Sequence, residues 1–290
     1  MRLDEIHIRD PFLLEAEGTY YLYGTRGPGC WSSASGFDVY VSRDLADWSA
    51  PISVFERPEG FWADRQFWAP EVHRYGGNYY MLASFKAQDH CRGTQILAAG
   101  SPLGPFVPLT PEPVTPRDWE CLDGTLYVSS QGQPYLVFCH EWLQVHDGEI
   151  CALALSQDLT QAVGAPLLLF RGSDPGWAEP DPQRAHVTDG PFLYRTREGR
   201  LLMLWSTLSH GDHGSYIQAL SYSGTGEITG PWRHFAKPLF ENDGGHGMVL
   251  STKDGQLLLS LHRPNQSPLE RPRLIPLREA EGTLVPLGPD

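Results

Sequence analysis

The sequence predicts an all-β fold. Helical periodicity is nearly absent, and 30 Gly and 25 Pro among 290 residues leave little room for long helices. The chain instead repeats short runs of β-branched, aromatic and aliphatic residues bounded by Gly, Pro, Asn or Asp, as strands joined by tight turns do. The runs also recur as five similar units, and units of this size with three or four strands each predict the blades of a β-propeller.

The units follow one another in order. Asp10-Pro11-Phe12-Leu13-Leu14 leads through Gly18 to Tyr20-Tyr21-Leu22-Tyr23, and Pro70-Glu71-Val72 leads through Gly76-Gly77 to Tyr79-Tyr80-Met81-Leu82. Asp123-Gly124-Thr125-Leu126-Tyr127 leads through Gly132 to Tyr135-Leu136-Val137-Phe138. Asp189-Gly190-Pro191-Phe192-Leu193 leads through Gly199 to Leu201-Leu202-Met203-Leu204-Trp205. His246-Gly247-Met248-Val249-Leu250 leads through Gly255 to Leu257-Leu258-Leu259. Several units add a third strand, as in Val39-Tyr40-Val41-Ser42, Ala152-Leu153-Ala154-Leu155 and Ile217-Gln218-Ala219-Leu220. Five blades starting near 10, 70, 123, 189 and 246 fill the chain as a single domain spanning 1–290, with residues 1–8 or the C-terminal tail available to close the ring.

Charge and cysteine usage bound the function. A formal net charge of −13 repels phosphate backbones and anionic lipid, which argues against nucleic acid and membrane surfaces as partners. No apolar run approaches the ~18 residues of a membrane span. The five cysteines (Cys30, Cys91, Cys121, Cys139 and Cys151) are odd in number and show no CxxC spacing, so they read as free, mostly buried thiols. The opening MRLDEIHIRDPF lacks a basic and an apolar leader region, and the expected location is cytoplasmic. Oligomeric state has no signature here.

Chemistry enters through the unit starts. The first strand of each propeller blade lines the central axis, so Asp10, Glu71, Asp123, Asp189 and His246 are expected to converge, although they lie 61, 52, 66 and 57 positions apart. One acidic residue at a strand start caps a turn often enough. Four carboxylates and a histidine at one mouth raise one another's pKa, which is the arrangement acid/base catalysis uses. No GxSxG, GxxxxGK or GxGxxG string offers a nucleophile elbow or phosphate loop instead.

Arg9-Asp10-Pro11, Trp68-Ala69-Pro70-Glu71-Val72, Leu122-Asp123-Gly124, Thr188-Asp189-Gly190-Pro191 and Gly245-His246-Gly247 occur in order and in phase. On these strings the chain resembles glycoside hydrolase family 43, five-bladed propellers that cleave arabinofuranosides and xylosides with inversion. The resemblance implies that Asp10 is the general base and Asp123 the carboxylate that tunes and orients the acid. Asp189 stands where the family carries a glutamate as general acid, one methylene shorter. Glu141, in Cys139-His140-Glu141-Trp142, is the alternative acid or a substrate-binding carboxylate. The resemblance also puts His246 on the axis, where some members hold a calcium ion, so a structural calcium is one option while the chemistry requires no cofactor. Arg263, with Arg271 and Arg273 nearby, resembles an arginine that binds sugar hydroxyls. Among nine tryptophans, Trp68 and Trp142 are the expected sugar-stacking residues, with Glu71 and His246 also lining the site.

The expectation is an inverting, exo-acting glycoside hydrolase that releases α-L-arabinofuranose from short plant-derived oligosaccharides. A β-D-xylosidase or β-galactosidase of the same fold is the alternative. A non-catalytic sugar-binding propeller is the reading from another class, kept open by Asp189. Loops at 27–36, 87–94 and 209–215 are expected to wall off the channel.

Overall fold

Turn chemistry sets the strand pairing. Glu17-Gly18, Gly76-Gly77 and Glu281-Gly282 each place two consecutive residues at positive φ between paired strand ends, the two-residue hairpin whose twist matches that of the flanking strands. In the computed structural model, which describes residues 1–27, 29–32, 35–209 and 216–288, such hairpins and longer turns fold the chain into five four-stranded antiparallel sheets.

The first blade contains β1 (Ile8–Ala16), β2 (Thr19–Arg26), β3 (Gly36–Ser42) and β4 (Ile52–Glu56). The second contains β5 (Arg65–Tyr75), β6 (Asn78–Ala87), β7 (His90–Ala99) and β8 (Val107–Pro108). In the third, β9 (Cys121–Val128) and β10 (Pro134–His140) are followed by a short helix α1 (Trp142–Val145), then β11 (Glu149–Leu155) and β12 (Ala162–Arg171). The fourth holds β13 (Asp189–Arg195), β14 (Leu201–Leu208), β15 (Tyr216–Ser223) and β16 (Trp232–His234). The fifth holds β17 (Gly245–Ser251), β18 (Leu257–Arg263), β19 (Arg271–Ala280) and β20 (Thr283–Pro286). Strands in every sheet lie in sequence order, and the first strands β1, β5, β9, β13 and β17 pack against one another around the axis. The fold is a five-bladed β-propeller.

The core lies between blades, which explains the continuous apolar runs of the second strands. Successive side chains of a strand face opposite sides of its sheet, and here both sides are buried. On β14, Leu201, Met203 and Trp205 pack with Val137, Cys139 and Phe170 of the third blade. Leu202 and Leu204 point the other way, to Val249, Leu259 and Leu261 of the fifth. Phe37 and Phe55 meet Phe67 and Phe85 between the first two blades, with the Phe67 and Phe85 rings 4.7 Å apart and edge-on.

Of the two options left open by the sequence, residues 1–8 do span the seam to the fifth blade, as a packed turn and not as a strand. All four strands of the fifth blade come from one stretch of chain, so neither terminus contributes a strand to another blade. Side chains make the seam: Ser260 Oγ donates to Pro11 O at 3.0 Å, and Lys253 Nζ donates to Arg43 O at 3.1 Å. Residues Leu3–Glu5 form a 3-10 turn against β19, where Arg271 Nε donates to Asp4 O at 2.9 Å.

Candidate active site

The same irregularity recurs in all five innermost strands. Pairing of each first strand with the second slips at a residue in the left-handed backbone region, Asp10, Ala69, Asp123, Gly190 and His246, with φ between 46° and 56°, and β5 slips a second time between Arg65 and Trp68. Such bulges re-aim side chains, and Asp and His tolerate the left-handed region better than branched residues do. Each non-glycine case costs about 1–3 kcal/mol unless its surroundings hold it.

They do so by capturing the N–H. Asp10 N donates to His262 Nδ1 at 3.2 Å, Ala69 N to Thr25 Oγ1 at 2.7 Å, Asp123 N to Ser84 Oγ at 2.8 Å and His246 N to Ser206 Oγ at 2.6 Å. Each acceptor occupies the equivalent position on the second strand of the preceding blade. In the third blade that position is Cys139, a poor acceptor, and the Gly190 N–H goes instead to Asp123 Oδ2 at 3.1 Å. That bond ties the third carboxylate to the fourth blade, next to Asp189.

This register corrects part of the predicted convergence. Asp10, Asp123 and His246 share the bulge position, and Asp189 lies one residue before it, beside Arg9 and Trp68 in phase. Glu71 lies two residues past its bulge, in register with Phe12 and Phe192, and does not line the pocket. Its carboxylate pairs with His73 Nε2 at 2.9 Å. The positions equivalent to Arg9-Asp10 in that blade are Trp68-Ala69, and the left-handed residue there is an alanine with no polar side chain.

Asp10, Asp123 and Asp189 line one cavity of about 450 Å³ with His246. Asp10 Oδ2 accepts the Thr25 hydroxyl at 2.6 Å, and its Oδ1 lies 3.3 Å from His246 Nδ1. Burial alone would raise its pKa, but His246, Arg9 and the Thr25 bond outweigh burial and hold Asp10 below the ordinary carboxylate range. Asp123 Oδ2 sits 3.6 Å from the same His246 nitrogen. Burial and the Asp10 charge push Asp123 well up, and burial and Asp123 do the same to Asp189. Asp189 Oδ2 accepts the Tyr216 hydroxyl at 3.0 Å. The site thus holds one carboxylate poised to take a proton and two carboxyls poised to keep one.

His262 completes the Asp10 end. Its Nδ1 accepts the Asp10 N–H, its Nε2 lies 3.2 Å from Asn265 Oδ1, and burial with Arg9 nearby holds its pKa down to about 3. The ring is therefore neutral, and its free N–H points at Asn265. Arg9 donates to Asn265 Oδ1 at 2.9 Å and pairs with the buried Glu270, which fixes the guanidinium next to Asp10.

On the opposite wall Arg92 lies 3.9 Å above the Trp68 ring, 3.4 Å from Glu141 Oε2. Glu141 is buried at the pocket just before α1, and Trp142 also lines the wall. Trp68 does line the pocket, but one ring face is covered by Arg92 and its Nε1 donates to Cys30 O at 2.6 Å, so on that face it seats a guanidinium and no sugar. Trp31 meets Trp68 edge-on and stays half exposed. Arg263 does not line the pocket: His262 takes the inward position on β18, and alternation turns the next side chain away.

Sequence reading missed Arg9, Arg92, Tyr216, His262 and Thr25. Arg9 had a signal, since it adjoins Asp10. The others come from second and third strands and carry no motif. Of the predicted wall segments, 27–36 contributes Cys30 and Trp31 and 87–94 contributes Arg92, while 210–215 lies outside the described residues. Among the described residues no group of three or more His, Cys, Asp or Glu is arranged to hold a metal, and His246 Nδ1 faces the Asp10 and Asp123 carboxyls. All five cysteines are free, and no helix among the described residues is long and apolar enough to cross a membrane.

The sequence model of glycosyl hydrolases family 43 matches residues 5–279, and the chain belongs to that family. An extracellular exo-α-(1→5)-L-arabinofuranosidase of Cellvibrio japonicus is 25% identical over 54% of this chain and 46% of its own length. An α-L-arabinofuranosidase of Humicola insolens is 24% identical over 71% of this chain and 44% of its own. The matches span about half the length of these curated relatives. Among solved structures, an endo-arabinase from Bacteroides thetaiotaomicron is 38% identical, with TM-score 0.91 over 97% of this chain and 98% of that one. An endo-1,4-β-xylanase from the same species, 21% identical with TM-score 0.78 over 98% and 95%, shares the fold.

Proposed function

We propose that this family 43 glycoside hydrolase cleaves α-L-arabinofuranosyl linkages with inversion and releases arabinose from the ends of short oligosaccharides. The observation that carries the reading is the split among three converging carboxyls, one held below and two held above the ordinary range in one cavity. Asp10 takes a proton from water as the water oxygen bonds to the anomeric carbon. The bond from that carbon to the glycosidic oxygen breaks, and Asp189 gives its proton to the departing oxygen. Burial, with the coupling to Asp123 beside it, favours the protonated form of Asp189.

Asp189 suits the acid role better than Glu141. Burial raises the Glu141 carboxyl too, but the Arg92 cation beside it opposes that rise, whereas Asp189 is pushed well up and its hydrogen-bond partner is the neutral Tyr216 hydroxyl. A cavity of about 450 Å³ lies in the range of small-ligand pockets and supports binding of a chain end. The arabinose preference rests on the arabinofuranosidase and arabinase names of the relatives. Endo-cleavage of arabinan is the second reading, favoured by likeness to the endo-arabinase.

The test is chromatography of products from linear α-1,5-arabino-oligosaccharides, wild type beside Asp10→Asn. Arabinose as the sole early product, lost by at least about 10³-fold in the variant, supports the proposal. Internal fragments would replace it by the endo reading. Turnover that survives Asp10→Asn would remove Asp10 as base, and turnover of β-D-xylosides alone would overturn the sugar assignment.

A further inference from the structure

We infer that Arg92 and Glu141 form a donor–acceptor clamp on adjacent hydroxyls of the bound sugar, with Arg92 as a specificity-determining residue. The inference rests on the glycosidase reading above and concerns side chains from two blades. Arg92 stands on β7 of the second blade, and Glu141 follows β10 of the third.

Arg92 is only 3% exposed and yet lines the cavity. Its Nη2 donates to Gln66 Oε1 at 3.1 Å, its Nε faces Glu141 Oε2 at 3.4 Å, and its flat face rests on Trp68. Nη1 is buried and has no hydrogen-bond partner among the described residues. A buried guanidinium donor left unpaired is costly, so a native structure that keeps one at a pocket wall has a use for it. A ligand oxygen supplies the missing acceptor.

The pair is built to stay in place. The Arg92 N–H donates to Glu120 Oε2 at 2.7 Å, the Glu141 N–H donates to Glu120 O at 2.7 Å, and Lys86 Nζ clamps the Glu120 carboxylate at 2.6 Å. One residue therefore anchors both members, and no ordering is left for the moment of binding. The chemistry recognised follows from the two ends. Arg92 only donates and the Glu141 carboxyl offers acceptor oxygens, whereas a sugar hydroxyl does both. Two neighbouring hydroxyls match the pair. An anionic group would meet Glu141 beside the arginine and the ionised Asp10 in the same cavity.

Arg92→Met keeps the stem on Trp68 and removes every donor. Steady-state kinetics would be run on whichever of the 4-nitrophenyl α-L-arabinofuranoside, β-D-xyloside and β-D-galactoside the wild type hydrolyses fastest. The clamp predicts KM raised on the order of tenfold or more with kcat within about threefold, the pattern of binding lost equally from ground and transition state. Glu141→Gln should raise KM in the same direction, because the neutral amide accepts more weakly. If Arg92→Met fails to fold by thermal melting, Arg92→Lys keeps the charge without the planar fork and should still raise KM. Active wild type with an unchanged KM in the folded Arg92 variant overturns the clamp alone. If the wild type hydrolyses none of the three, the same kinetics are run on linear α-1,5-arabino-oligosaccharides, and inactivity there as well overturns the glycosidase reading and the clamp with it.

Discussion

Replacing Asp189 by Asn separates the general acid from everything else in the pocket. Asn keeps the shape and still accepts the Tyr216 hydroxyl, which occupies Oδ2 at 3.0 Å. It cannot release a proton. General acid catalysis contributes roughly 10²–10⁴ in rate, or about 3–5 kcal/mol of transition-state stabilisation. That loss is expected on arabino-oligosaccharides, whose alkoxide leaves only when protonated. A 2,4-dinitrophenyl arabinofuranoside needs no proton and should lose less than about tenfold. The pH profile supplies a second readout. Wild type needs Asp10 ionised and Asp189 protonated, and because Asp10 is held low and Asp189 high, its activity should fall on the alkaline side as Asp189 ionises. On the activated substrate that alkaline fall should vanish in Asp189→Asn.

Stability provides an independent check with the opposite sign. A carboxyl whose folded pKa is raised binds its proton more tightly when folded, so its contribution to stability is lost as pH rises from about 3.9 through the folded value. Asp189→Asn should therefore melt higher than wild type near neutrality, with the gain shrinking as pH falls toward 4. An activity loss below about tenfold on natural oligosaccharides would refute Asp189 as the acid. Glu141→Gln would then be expected to show the leaving-group pattern instead.

Two further predictions probe the parts that hold the acid and the bulges. Tyr216→Phe removes the hydrogen bond to Asp189 and should lower kcat on natural substrates by about 3- to 30-fold with little change in KM, while shifting the alkaline limb of the profile. An unchanged limb would limit Tyr216 to packing. Gly190→Ala places a methyl 2.7 Å from His246 Cδ2 at a residue with φ +49°, so loss of about 1–3 kcal/mol is expected by urea unfolding, and a neutral result would mean that the His246 ring moves freely.

The propeller was legible because its causes are local. The turns at Gly18 and Gly76-Gly77 join strands that are neighbours in the chain, and doubly apolar runs such as 201–205 mark strands buried on both faces. Asp10, Asp123, Asp189 and His246 were legible for the same reason, since each sits at the start of a first strand and the blade geometry carries it to the axis. The limits were local too. Glu71 and Arg263 are one or two residues out of phase with the inward positions, and in a strand that offset reverses or displaces a side chain.

The sequence by itself determined the five-fold sheet pattern and which carboxylates open the blades. Only the tertiary structure decided their partners: Thr25 on Asp10, His262 beneath its N–H, Tyr216 on Asp189, and Arg92 against Glu141 across a blade seam. The His262 and Arg92 contacts cross from one blade to another and the Thr25 and Tyr216 contacts cross between strands of one blade, and neither turn residues nor a two-residue period signals such side-chain pairs. The protonation pattern of the site depends on them, because burial and neighbouring charge set each pKa only after the ring has closed.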